Sequence, residues 1–150
     1  MIGQYRRESV QLVFLAGTVT NAGNKPLVPN TYDLEIKINK KWIKLKKAII
    51  PVGSTFSSDV QTINIPDVDK KDLLKIKQSV TSSSPLYGCL MFITNEISLE
   101  ELKNSEYVLR LTCFDIFNKK HETEFPKPKG ELAQPTVFPK HDISVLTKMK

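Results

Sequence analysis

The sequence is poor in the residue types from which metal centres, disulfide frameworks and phosphate-binding loops are built. It has two cysteines, two histidines and six glycines in 150 residues. Cys89 and Cys113 lack the paired C-x-x-C spacing of a zinc or redox motif, and His121 and His141 lie on different segments. The glycines are scattered, which excludes a glycine-rich phosphate loop. We therefore predict no metal site, no cofactor and no catalytic residues, and expect that the chain is not an enzyme.

Long apolar runs are also missing. No stretch approaches the ~20 residues of a membrane-spanning helix. The apolar residues 13–16 are too few for the core of a signal peptide and are better interpreted as part of a strand. The overall composition, 40% hydrophobic and 25% charged, is close to that of globular domains. A chain of this length buries roughly 70% of its unfolded surface, so it needs no metal or disulfide to fold.

Strand signals outnumber helix signals along the chain. Residues 31–38 alternate between apolar and polar side chains, which is typical of a half-buried strand. Residues 87–94 are apolar on both faces, as in a central strand. Further strands are predicted where apolar and β-branched residues lie between turn residues, at 9–20, 61–65, 107–117 and 121–125.

Two short helical segments interrupt this pattern. Residues 67–78 predict a short helix. Its inward side chains would be three aliphatic ones: Leu73, Leu74 and Ile76. Ser98 and Glu101 match a capping box, which predicts one or two helical turns there.

The composition changes at residue 126. Four prolines interrupt a lysine-bearing tail: Pro126, Pro128, Pro135 and Pro139. Proline removes amide donors and fixes the backbone, which favours an extended arm. We therefore predict one all-β domain over residues 1–125, a β-sandwich of about seven strands, and a C-terminal extension over residues 126–150. Ile143, Val145 and Thr147 alternate well enough to add a strand to a sheet edge.

Basic charge is the one clear excess, with a net charge of +6. Residues 39–48 (NKKWIKLKKA) interleave lysines with the single tryptophan, as a nucleic-acid-binding strip would. A two-residue hairpin loop at Asn39 and Lys40 gives another interpretation. Its register would pair Ile36 with Ile43, Leu34 with Leu45, Glu35 with Lys44, Asp33 with Lys46 and Lys37 with Trp42. We favour the hairpin, because the apolar pairs would face the core and the opposite charges would neutralise one another.

The same hairpin supplies the candidate partner-binding residues. The register places Trp42 on the outer face of the sheet, and tryptophan is enriched among residues that dominate protein interfaces. The candidates are Trp42 and the three lysines around it, Lys37, Lys44 and Lys46. Alternatively, Trp42 covers its own sheet with Lys37 stacked above it.

The cysteines are predicted to be buried. Cys113 lies in the best apolar strand, and the turn that follows would bring His121 near it, but a buried thiol acting as a small hydrophobe is the preferred interpretation. Asp115 is interpreted as a turn residue. Cys89 and Cys113 fall on consecutive strands that facing sheets would bring together. A disulfide therefore stays open beside the default of two reduced thiols.

Two short segments are similar to those of a known family. GTVTN (residues 17–21) with GNKPL (residues 23–27) resembles the opening strand and turn of small bacterial immunoglobulin-like domains. YVLRL (residues 107–111) resembles the Y-x-L-x-L/V strand near their end. The order Cys…Trp…Cys of antibody-type domains is not present, because Trp42 precedes both cysteines. The resemblance implies an immunoglobulin-like β-sandwich that serves as a binding or spacer module, often outside the cytoplasm.

Two functions remain open at this point. The first is a non-enzymatic protein-interaction or structural spacer module. The second is a basic nucleic-acid-binding β domain that uses the lysine-rich hairpin. Binding dominated by phosphate contacts weakens steeply as salt rises, whereas an interface with apolar anchors is less sensitive. A salt titration therefore separates the two.

Overall fold

The computed structural model describes residues 2–4, 10–49, 55–57, 62–64 and 68–127. These residues form strands, one α-helix and a 3₁₀ helix at Val68–Lys71. The strands are β1 (Ile2–Gln4), β2 (Gln11–Val19), β3 (Pro29–Ile38), β4 (Lys41–Lys44), β5 (Lys46–Ala48), β6 (Thr55–Ser57), β7 (Thr62–Asn64), β8 (Leu86–Thr94), β9 (Tyr107–Asp115) and β10 (Lys120–Pro126). The helix α1 is Leu99–Asn104.

The strands form two four-stranded antiparallel sheets and a two-stranded pair. The first sheet has the order β1-β2-β8-β5 and is called the β8 sheet. The second has the order β10-β9-β3-β4 and is called the β9 sheet. Among the described strands, β6 and β7 pair with each other alone. The predicted all-β class is therefore confirmed. The described strands exceed the predicted seven because β1, β5 and β6 are only three residues long and carry too little pattern to detect.

The two sheets share one hydrophobic core. Val13, Leu90 and Phe92 from the β8 sheet belong to the same buried cluster as Leu34 and Leu109 from the β9 sheet. β8 lies between two neighbours, and every one of its side chains except that of Tyr87 is buried. This confirms the prediction of a central strand from a segment that is apolar on both faces.

The β3–β4 hairpin has the predicted loop and register. Asn39 and Lys40 have positive φ angles of 50° and 65°, which the primed two-residue turns of hairpins require. Ile36 faces Ile43, and Lys37 faces Trp42. Continuation of this ladder into an Asp33–Lys46 pair is wrong. The chain leaves the β9 sheet after Leu45, and Lys46 pairs with Ile93 in the β8 sheet.

The predicted helix over residues 67–78 is wrong beyond its first turn. Only Val68–Lys71 is helical, as a 3₁₀ segment. Asp72 then forms a parallel bridge with Cys89, and the Leu73 amide donates to the Cys89 carbonyl at 2.9 Å. These contacts tie the chain to the β8 sheet, and the Lys75 amide donates to the Asp72 carbonyl at 2.9 Å to close a turn in place of the helix. Leu73 enters the core from there.

The capping box at α1 is confirmed. The Ser98 hydroxyl accepts from the Glu101 amide at 3.1 Å, and the Glu101 carboxylate accepts from the Ser98 amide at the same distance. The helix is one and a half turns long and buries Leu102 completely. The C-terminal extension predicted from residue 126 lies outside the described residues, apart from Pro126 at the end of β10 and Lys127.

Candidate functional site

The lysine-rich hairpin lies in a charge network on the outer face of the β9 sheet. Because Ile36 and Ile43 face the core, Lys37 and Trp42 point the other way. The neighbouring strand β9 places Arg110 beside them, opposite Glu35. The Arg110 guanidinium lies 3.8 Å from the centre of the Trp42 ring, whereas the Lys37 amine is 5.7 Å away.

Arg110 is the centre of this outer-face cluster. Its guanidinium contacts Glu124 at 2.7 Å, and Glu35 and Glu122 at 3.6 Å each. These glutamates come from strands on both sides of β9, so one cation links three strands of the sheet. Trp42 is half-buried beneath the guanidinium. The indole therefore covers its own sheet, with Lys37 over the ring as predicted and Arg110 closer to it.

The lysines of the hairpin are also paired, although not as predicted. Lys44 contacts Asp33 at 2.7 Å, and Lys47 contacts the same carboxylate at 3.2 Å. Burial opposes ionisation of Asp33, but its hydrogen bonds with the two lysines outweigh this effect and hold its pKa below the usual range. Lys46 is exposed on β5, in the other sheet.

The four candidate residues are thus divided between the two sheets. Trp42, Lys37 and Lys44 share the outer face of the β9 sheet, and Lys46 does not. On that face Lys44 and Arg110 have carboxylates as close neighbours. Both facts remove the continuous basic strip that the linear sequence suggested.

A second group of reactive side chains meets at the β9–β10 turn. His121 lies directly opposite Cys113 in the ladder, and its Nε2 atom is 3.1 Å from an Asp115 oxygen. In the described part of the chain, however, the Cys113 thiol has its hydrogen bond with the Phe114 carbonyl, not with the imidazole. Burial raises the pKa of the Cys113 thiol, which disfavours the thiolate that a nucleophile needs.

Asp115 instead builds the turn. One of its carboxylate oxygens accepts from the amides of Phe117 at 2.9 Å and Lys119 at 2.8 Å. Burial opposes its ionisation, but the hydrogen bond with His121 and these two amides together hold its pKa below the usual range. The interpretation of Asp115 as a turn residue is therefore confirmed.

Both cysteines are buried, as predicted. Cys89 is 4% and Cys113 is 9% exposed, and they are free thiols on different sheets. Burial also raises the pKa of Cys89. Neither environment favours a reactive thiolate.

The β9–β10 turn carries the most exposed large apolar side chain in the described residues. Phe117 is 83% exposed, and Ile116 beside it is 52% exposed. The Ile116 amide is fixed by the Val28 carbonyl at 3.0 Å. Sequence reasoning missed this site because residues 116 and 117 continue the apolar pattern of the strand. The available signal was Asp115 followed by Asn118-Lys119, a turn that begins earlier than predicted.

Comparison with known proteins gives no family. No protein-family model, curated protein or solved structure matches the chain. Among the residues that the structure describes, no three His, Cys, Asp or Glu side chains converge as metal ligands would. No helix in the same residues has the length and apolar character needed to span a bilayer.

Proposed function

We propose that the chain is a non-enzymatic immunoglobulin-like β-sandwich that binds a protein partner through its β9–β10 turn. The strand orders support the fold. In immunoglobulin domains one sheet has the order A-B-E-D and the other contains G, F and C, with C′ added in variable-type domains. The orders β1-β2-β8-β5 and β10-β9-β3-β4 correspond to these when the strands are lettered along the chain with β4 as C′ and with the separate β6–β7 pair left out. In this proposal the β9–β10 turn corresponds to the F–G loop.

The observation that carries the proposed function is an exposed Phe117 on a braced turn. Asp115 and Val28 fix the backbone around it by hydrogen bonds. A fixed turn loses little conformational freedom when a partner binds, so more of the contact energy remains as affinity. Ile116 extends the apolar surface, and charged side chains such as Lys119 and Lys120 lie at its border.

The hairpin residues predicted from sequence form a secondary candidate surface. Lys37 and Lys44 are exposed, but Arg110 lies over Trp42 and leaves the ring half-buried. A partner would have to displace this cation to reach the ring. The β9–β10 turn needs no such displacement, and it is therefore the preferred anchor.

The alternative of nucleic-acid binding is weakened by the charge arrangement. Asp33 pairs with both Lys44 and Lys47, and Arg110 is surrounded by glutamates. A phosphate backbone would meet carboxylates on the same face. A fluorescent single-stranded oligonucleotide is expected to show weak binding that disappears by about 200 mM salt. Saturable binding that falls steeply with salt and is lost in a Lys44→Gln, Lys46→Gln variant would favour the alternative.

The direct test uses Phe117→Ser with Tyr87→Ser as the matched control. Tyr87 is 68% exposed on β8, so its substitution removes an exposed aromatic ring away from the turn. Partners cross-linked to the wild-type chain are purified and titrated against each variant. Phe117→Ser is expected to cost ~2 kcal/mol or more of binding, about 30-fold in Kd. Equal affinity of Phe117→Ser and the wild type would contradict the proposal.

A further inference from the structure

A groove of about 270 Å³ opens between the two sheets alongside β2. Leu15 and Val19 of β2 lie on one side, and Leu111 and Phe125 of the β9 sheet lie on the other. Gly17 lines the groove and has no side chain to fill it. A Cβ atom built on Gly17 meets nothing within 4 Å. An apolar cavity of about 150 Å³ accepts a benzene ring, so this groove has room for more than one aliphatic side chain.

The backbone edge beside the groove is incompletely covered. β1 pairs with β2 only from Gln11 to Val13. Beyond that, from Leu15 to Val19, β8 is the only described strand that pairs with β2. The sequence LAGTV has no charge and no proline. Proteins usually protect such an edge with charged side chains or proline, or cover it with another segment.

We propose that residues 143–147 of this chain (ISVLT) pair with the edge of β2 that no described strand covers, and insert Ile143 and Val145 into the groove. The segment lies outside the described residues. Its alternation suits a strand with one apolar face, and β-strand addition uses side-chain pockets of this kind for specificity.

The path of the chain favours its own tail as the occupant. The last described residues leave β10 beside the groove, because Phe125 lines it and Lys127 follows two residues later. The 15 residues from 128 to 142 can extend over roughly 50 Å. The free part of β2 is only five residues long, or about 17 Å. The spacer is therefore long enough for the tail to turn back along β2 in either direction.

The test is a double-mutant cycle in the full chain. Gly17→Leu fills the groove with a side chain of the same protein. Ile143→Ser with Val145→Ser removes the proposed anchors. In the wild-type background the anchor change is expected to raise the unfolding equilibrium constant at least tenfold, which is about 1.4 kcal/mol at 25 °C. In the Gly17→Leu background the same change is expected to have less than a threefold effect, because the groove is already filled.

Two control substitutions test whether the coupling is specific to the groove and to the side of residues 143–147 that carries Ile143 and Val145. Leu146→Ser removes an apolar side chain from the opposite face of the segment, and Thr18→Leu adds one beside Gly17. Neither is expected to show coupling. As a readout independent of global stability, Gly17→Leu is expected to speed tryptic cleavage after Lys140 and Lys148 at least fivefold, with no change in cleavage within β8 and β9.

Three outcomes would overturn the proposal. Additive effects of the two substitutions would show that the tail does not enter the groove. An unchanged rate of tryptic cleavage after Lys140 and Lys148 in the folded Gly17→Leu variant would also show that the tail does not enter the groove. Coupling that appears only where sedimentation gives a dimer would identify a second copy as the source of the strand, which contradicts insertion within one chain.

Discussion

β10 and the second half of β2 both lack a described neighbour on one side, but their side chains differ in charge. β10 is the border of the β9 sheet, and it carries Lys120, Glu122 and Glu124 along its exposed side. The upper part of β2, Leu15–Val19, carries only apolar, small or hydroxyl side chains. A charged border resists pairing with another strand, whereas an uncharged one invites it. The comparison shows a charged edge on β10 and an uncharged one on the part of β2 that no described strand covers, and only the second suits the pairing proposed for residues 143–147.

The pair of glycines that face each other on β2 and β8 gives the largest expected effect. Gly17 lies opposite Gly88 in the ladder. A Cβ on Gly88 would lie 2.5 Å from a Leu73 methyl carbon and 2.6 Å from the Lys71 carbonyl oxygen. Gly88→Ala is therefore expected to lower the free energy of unfolding by about 1–3 kcal/mol, because backbone must move.

Gly17→Ala is the matched control for that substitution. Its Cβ enters open space, and alanine restricts the unfolded chain more than glycine does. Urea unfolding is expected to show no loss, or a gain of ~0.5–1 kcal/mol. Equal destabilisation by both substitutions would mean that the space beside β2 is filled more tightly than the groove implies.

Trp42 tests how much the outer-face cluster of the β9 sheet contributes to stability. Trp42→Ala removes the ring that lies under Arg110, and the half-buried indole is expected to contribute about 1–2 kcal/mol to stability. The melting temperature should fall, while affinity for a partner bound at Phe117 stays the same. Loss of binding without loss of stability would instead support Trp42 as the interface anchor.

Substitution of Asp72 is expected to have a smaller effect and to raise the free energy of unfolding. Asp72 is completely buried, and among the described residues its Oδ2 atom has no hydrogen bond of ordinary length, the Lys75 amine lying 3.7 Å away. Burial raises the pKa of Asp72, although the Leu74 amide and Lys75 oppose the shift. An acid with a raised pKa binds its proton more readily in the folded state, so its contribution to stability falls as pH rises through the unfolded and then the folded value.

Asp72→Asn is accordingly expected to stabilise the protein by about 1 kcal/mol at pH 7. Asparagine keeps an oxygen to accept from the Leu74 amide. The gain should shrink as pH falls below the ordinary range for aspartate, where both variants are neutral at this position. Urea unfolding at pH 7 and pH 3.5 measures it. A gain that is the same at both values would show that the buried charge is not its cause.

The charged border of β10 gives the smallest expected effect on stability. Glu122→Thr with Glu124→Thr removes two border charges and keeps β propensity. Sedimentation is expected to show weak self-association at high protein concentration, with little change in melting temperature. Glu96→Thr with Glu100→Thr changes the net charge equally at exposed positions outside β10 and should sediment as the wild type does. Self-association of both variants would assign the effect to net charge.

Local patterns in the sequence were sufficient for most strands and for the hairpin turn. Alternation in residues 31–38 and the Asn39-Lys40 loop depend on neighbours within a few residues. Leu45 is the point beyond which the local pattern no longer predicts the structure. It continues the hairpin pattern, and its amide still donates to the Leu34 carbonyl, yet the next residue belongs to the other sheet. Nothing in residues 44–48 distinguishes a strand that continues from one that changes sheets.

The candidate site was harder to predict because its contacts join distant segments. Arg110 meets Trp42 and Glu124 only after three ladders have formed. The groove depends on Gly17 and on Leu111 of the opposite sheet. β9 ends at Asp115, two residues earlier than predicted, because the Asp115 side chain accepts hydrogen bonds from two amides of the turn. Each of these is a consequence of tertiary pairing, not of local propensity.

Hydrogen exchange along β2 tests the difference between the two borders most directly. In the full chain the amides of Leu15–Val19 that point away from β8 are measured beside the outward amides of β10. If residues 143–147 cover β2, these amides exchange as slowly as those in the centre of β8. Gly17→Leu then raises their exchange rate, because it displaces the segment. Exchange at the rate of the outward β10 amides, unchanged by Gly17→Leu, would show that the β2 border is bare and would contradict the account.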